Sequence, residues 1–63
     1  MENWAMLNLK DYLVLNSYPT RIKHSYANRK HYTKEGRQHI KYLVQELRKV
    51  KAKYKGKKTF YVH

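Results

Sequence analysis

The tightest constraint on the fold lies in residues 33–56. Their apolar positions, Ile40, Leu43, Val44, Leu47, Val50 and Tyr54, recur in three- and four-residue steps. At about 100° per residue these side chains gather on a stripe roughly 120° wide, the pattern of a helix that buries one side. Both ends are marked. Thr33 is placed to cap the first turn, Glu35 suits its positive dipole, and Gly56 can take the left-handed conformation that ends a helix. The predicted helix, 33–55, is a rod of about 34 Å. A row of cations runs along one flank of the stripe: Lys34, Arg37, Lys41, Arg48 and Lys55.

The remaining elements rest on weaker signals. Residues 3–16 predict a first helix capped by Asn3, with Ala5, Met6, Leu9, Tyr12 and Leu13 on one stripe. Trp4, Leu7 and Val14 fall on the opposite side, and a helix apolar on two faces needs a second cover. A strand over 12–15 competes on β-propensity. Pro19 fixes its own φ and pushes Tyr18 out of the α region, so this helix is expected to stop near Asn16. A shorter helix over 20–31 would follow, with Ile22, Tyr26 and Ala27 as its apolar points. The tail, 57–63, is basic and then aromatic, and is expected to be flexible or to order as a short strand on a partner. The predicted fold class is all-α. One small domain, 1–63, forms three helices or an αα-hairpin, with one long C-terminal amphipathic helix and a basic tail.

With 63 residues the core must be thin, and the absence of cysteine removes disulfides as staples. Charge then becomes the main clue to function. Residues 1–20 carry a net −1; residues 21–63 set 14 Lys/Arg against Glu35 and Glu46, a net +12, within a total of +11. Self-repulsion on this scale favours an anionic partner that screens it. Surfaces built only for solubility usually mix both signs.

Catalysis finds little support in the sequence. The four acids are scattered, the glycines are Gly36 and Gly56 alone, and no nucleophile motif occurs. His24, His31 and His39 stand seven and eight apart, without the four-residue step of a helical metal site. The sequence predicts no enzyme, no cofactor, no metal and no small-molecule substrate. The first apolar run is interrupted by Asn8, Lys10 and Asp11, unlike a secretory signal, and no run approaches a membrane span. A cytoplasmic protein without a membrane partner is expected. The short Tyr-, Lys- and Asn-rich composition suggests a phage or mobile-element gene from an AT-rich genome, whose product would work in the host cytoplasm.

Nucleic-acid binding fits better. Lysine and arginine neutralise phosphates and release counterions, a gain that depends on charge density and needs no particular fold. Arg21, Lys23, Arg29 and Lys30 are interleaved with His24, Tyr26, His31 and Tyr32, and aromatics among cations can stack on unpaired bases. The expected phosphate surface is Arg21, Lys23, Arg29, Lys30, Lys34, Arg37, Lys41, Arg48 and Lys55. DNA and RNA are not distinguished. The alternative is a phage-type inhibitor or adaptor that binds an acidic surface of a host protein through its N-terminal helix. Trp4, Leu7 and Val14 would then be the anchors, the basic half would steer the encounter, and the same face would otherwise serve a homodimer.

Overall fold

The computed structural model describes residues 3–62. Glu2 and the tail's last residue, His63, lie outside them. In chain order the elements are strand β1 (Trp4–Met6), helix α1 (Leu9–Ala27), a 3-10 turn (Lys30–Tyr32), helix α2 (Lys34–Lys53) and strand β2 (Lys58–Phe60). The chain is mostly helical; its described residues form two helices and a small strand pair, so the three-helix form of the expectation is not met and the helices follow its αα-hairpin alternative.

Helix α2 follows its local signals. The Thr33 hydroxyl accepts from the Gly36 N–H at 3.0 Å and so caps the first turn. Ile40, Leu43 and Val50 are buried and Val44, Leu47 and Tyr54 half-buried, which is the predicted stripe. The helix ends at Lys53 with Tyr54 as its cap, two residues short of the expected 55, and Gly56 lies in the turn beyond it at φ 75°, where a side chain would be strained.

Helix α1 departs from expectation at both ends and in its middle. Residues 4–6 are extended, so the cap is Asn8 rather than Asn3; its side chain accepts from the Asp11 N–H at 2.7 Å. The helix then runs through Pro19 to Ala27, merging the expected segments 3–16 and 20–31. The proline deprives the Leu15 carbonyl of its usual donor, a cost of about 3 kcal/mol. Opposing this cost, a seam in steps of three and four continues across the proline: Asp11, Val14, Tyr18, Ile22 and Ser25 are all buried or half-buried. Packing along the whole of α2 outweighs the local rule. The alternative strand over 12–15 does not form, because these residues lie inside the helix.

The anchors assigned to an outer face are corrected in the same way. Leu7 and Val14 are buried in the core, so they are not free to meet a partner; Trp4 alone of that set is exposed. Conversely Met6, Leu9 and Leu13, expected as the inner stripe, are 63%, 58% and 45% exposed. Placing 4–16 on one helical wheel put the strand residues in the wrong phase, and the true helix turns its other side inward.

The two helices form a hairpin. At its bend Arg29 adopts φ 58°, and the 3-10 turn leads into Thr33. The turn lies hard against the start of α2: a Cβ on Gly36 would collide with the Lys30 carbonyl and come within 2.7 Å of the Thr33 hydroxyl. At the open end of the hairpin, β1 and β2 pair in parallel, with Trp4 opposite Lys58, Ala5 opposite Thr59 and Met6 opposite Phe60. The Leu7 N–H donates to the Phe60 carbonyl at 2.7 Å, and the Lys58 N–H to the Asn3 carbonyl at 2.8 Å. The tail thus orders on the chain's own N-terminal strand. Tyr61 stacks on Tyr12 of α1, with ring centroids 4.0 Å apart.

Two stability outcomes follow. Leu43 is fully buried and Leu47 only half, so Leu43→Ala should cost about 2–5 kcal/mol and Leu47→Ala distinctly less, as read from urea midpoints. Gly36→Ala, which would help an ordinary helix, should destabilise by about 1–3 kcal/mol because a backbone carbonyl must move. A Gly36→Ala melt at or above the parent's would contradict this packing.

Candidate nucleic-acid interface

Three cations of α2 share a recess on the hairpin. Arg37, Lys41 and Arg48 recur on one flank of the helix, and beside them Ile40 and Val44 turn toward α1. The last turn of α1 brings Tyr26, and the 3-10 turn brings His31. Together with Gln45 these residues line an open trough of about 490 Å³, within the range of ligand sites. The floor is apolar, since Ile40 is buried and Val44 half-buried; the rim is cationic, since Arg37, Lys41 and Arg48 are exposed. No acidic residue lines it.

Arg37 is held in place. Its Nη1 donates to the His31 carbonyl at 3.4 Å and the Tyr32 carbonyl at 3.3 Å, fastening the 3-10 turn to α2. Among the described residues, Lys41 and Arg48 show no hydrogen bond or ion pair to another side chain, so their charges face outward uncompensated. Next to them the rings form a continuous cluster. Tyr26 and His31 are 5.0 Å apart between centroids, and His31 and Tyr32 are 4.3 Å apart. His31 Nδ1 is sealed without a hydrogen-bond partner among the described residues. Holding it there is costly, and the two ring contacts help to offset the cost.

The other basic residues expected at the interface are dispersed. Lys23 borders a shallow recess with Pro19, Thr20, Ile22 and Tyr26, so it adjoins the trough across the Tyr26 ring. Arg29, Lys30 and Lys34 lie at the bend. Arg21 is directed elsewhere, its guanidinium 5.6 Å from the centre of the Tyr18 ring in a groove shared with Lys10 and Leu13. Lys55 follows the end of α2, toward the strand pair. The trough therefore unites three of the nine and adds residues that the charge pattern had not marked: Ile40, Val44 and Gln45. A signal for Tyr26 and His31 was present in the aromatic interleaving; the pairing of that segment with the α2 flank was not.

A second cluster of titratable groups lies at the opposite end. Asp11 is only 5% exposed. Its Oδ2 accepts from the Tyr54 hydroxyl and, at 3.1 Å, from Lys53 Nζ. The Tyr54 hydrogen bond is the main cause that holds the Asp11 carboxyl below its ordinary 3.8; burial opposes it, and Lys53 and Lys10 assist. The same bonds to Asp11 raise Lys53 and Tyr54 above their ordinary 10.5 and 10.0. Each partner's shift is accounted for by the others, and the triad ties the start of α1 to the end of α2. Along the hairpin Tyr18 and Tyr42 share a hydrogen bond, which raises the Tyr42 phenol. No group of three metal-ligating side chains occurs among the described residues, and no described helix is long and apolar enough to cross a membrane.

No family model, curated protein or solved structure matches the chain.

The triad fixes a pH dependence. A carboxyl lowered in the folded state stabilises fully above its unfolded value and loses that contribution as pH falls below 3.8. A lysine and a tyrosine raised in the folded state lose theirs as pH climbs past 10. The stability gap between the parent and Asp11→Asn, read from urea midpoints, should be widest in between and should narrow on both sides. A gap independent of pH would show that the carboxylate's charge does not matter.

Proposed function

We propose that the chain is a small nucleic-acid-binding protein whose phosphate-contacting surface centres on Arg37, Lys41 and Arg48. The observation that carries this reading is the trough: three cations on one flank, no acid among its lining residues, and the exposed Tyr26 ring with the half-buried His31 beside them. Lys23, Arg29, Lys30 and Lys34 lie near enough along the bend to lengthen the footprint, so the positive field extends past the trough itself. A net charge of +11 on 63 residues would steer a polyanion toward this surface over a long range at low salt. The protein acts by binding, without catalysis or cofactor.

A second reading rests on a different surface. Alternation along β1 and β2 leaves Trp4, Met6 and Phe60 exposed on one face, with Lys58 5.6 Å from the Trp4 ring centre. An inhibitor or adaptor for an acidic protein would use this sheet face, where the sequence had pointed to the first helix.

Salt dependence separates the two. If about five cations touch duplex phosphates, the slope of log affinity against log salt should be about −4 to −5. Lys41→Gln with Arg48→Gln should flatten it by about 2 units at unchanged helix content, because neither side chain is bonded to another among the described residues. Arg37 is left intact, since its removal would also loosen the turn. An undiminished slope in the double variant would exclude the trough as the phosphate surface. No affinity for DNA or RNA at low salt would turn the reading to the protein partner.

A further inference from the structure

Phosphates alone do not account for the composition of the trough. A phosphodiester chain is served by cations and donors, and a convex row of lysines supplies both. It gains nothing from an apolar floor. Yet Arg37, Lys41 and Arg48 stand around Ile40 and Val44, with the Tyr26 and His31 rings at the side. The ring cluster continues outward through His31 to Tyr32, and Tyr26 and Tyr32 remain 51% and 69% exposed. An apolar and aromatic recess bordered by cations suits a ligand that is flat and apolar on its faces and anionic along its chain.

In a duplex the base faces are stacked on one another, and the strand offers a protein only edges and phosphates. An unpaired nucleotide offers a free π-face and a phosphate a few ångströms away. Resting on the nucleic-acid reading above, we infer that the trough binds unpaired nucleotides of a single strand or loop. One base lies on the Tyr26 ring over the Ile40–Val44 floor, and the adjoining phosphates lie along Lys41 and Arg48. Arg37 serves as a positioning residue: by gripping the His31 and Tyr32 carbonyls it keeps the ring cluster beside the cationic flank. Gln45, on the same wall, is within the trough to meet a base edge.

The test uses the full chain and a fluorescein-labelled mixed-sequence strand of roughly 12 nucleotides, as DNA and as RNA, alone or annealed to its complement. Anisotropy titrations should show the single strand binding more tightly than the duplex of the same length. Tyr26→Leu keeps an apolar side chain but removes the π-face; it should weaken single-strand binding by about 5- to 100-fold and leave duplex binding nearly unchanged. Tyr26→Trp should restore it. Circular dichroism melts accompany each variant, and if Tyr26→Leu lowers the melt, Tyr32→Leu at the more exposed ring carries the same comparison. Equal affinity for strand and duplex, unmoved by either leucine variant, would overturn this inference while leaving the phosphate surface standing. Failure of every probe to bind at low salt would overturn both.

Discussion

The hairpin depends on the contact of Asp11 with Tyr54 and Lys53. Asp11 is a buried carboxylate in the first turn of α1, and the two groups that satisfy it lie more than 40 residues later at the end of α2. A buried charge without partners is expensive, so the fold that holds Asp11 must bring these termini together. The parallel strand pair sits at that same end, and two strands of three residues would have little stability alone. The triad and the Tyr12–Tyr61 stack hold the N-terminal segment and the tail side by side, which supports the pair.

Polarity along the hairpin follows. One end is closed by the triad and the strands. The other, at the bend, carries the 3-10 turn, the left-handed Arg29 and the exposed rings. Between them the core is slight, with Leu7, Val14, Ile40, Leu43 and Val50 as its buried apolar residues. So thin a core leaves little margin against the repulsion among the basic residues of the second half. Any polyanion that binds the folded chain therefore adds to its stability by mass action as well as by screening.

The residues of the trough show why the candidate site was only partly legible. The α2 flank of Arg37, Lys41 and Arg48 could be read from helical spacing, because one element holds all three. Their neighbours Tyr26 and His31 come from other elements, and no local rule says which flank of α2 they will meet. Gly36 is a similar case. Within a helix it looks like a weak point, and its reason, a carbonyl of the preceding turn resting where a Cβ would be, exists only once the turn is folded against α2.

The sequence by itself determined α2: its buried stripe and its Thr33 cap are interactions between residues a few positions apart, so periodicity and capping chemistry suffice. It also determined that the second half would be a strong positive field. Tertiary structure decided the rest. Pro19 stops a helix by local rules, yet α1 continues through it because the seam from Asp11 to Ser25 packs along α2 on both sides of the proline. Trp4 and Leu7 were assigned to a helix because their partner strand lies more than 50 residues away, beyond the reach of any local pattern. Asp11 passed for a helix-face acid for the same reason. Contacts between residues distant in sequence cost loop entropy that only the assembled hairpin can offset, and a linear reading has no measure of that balance.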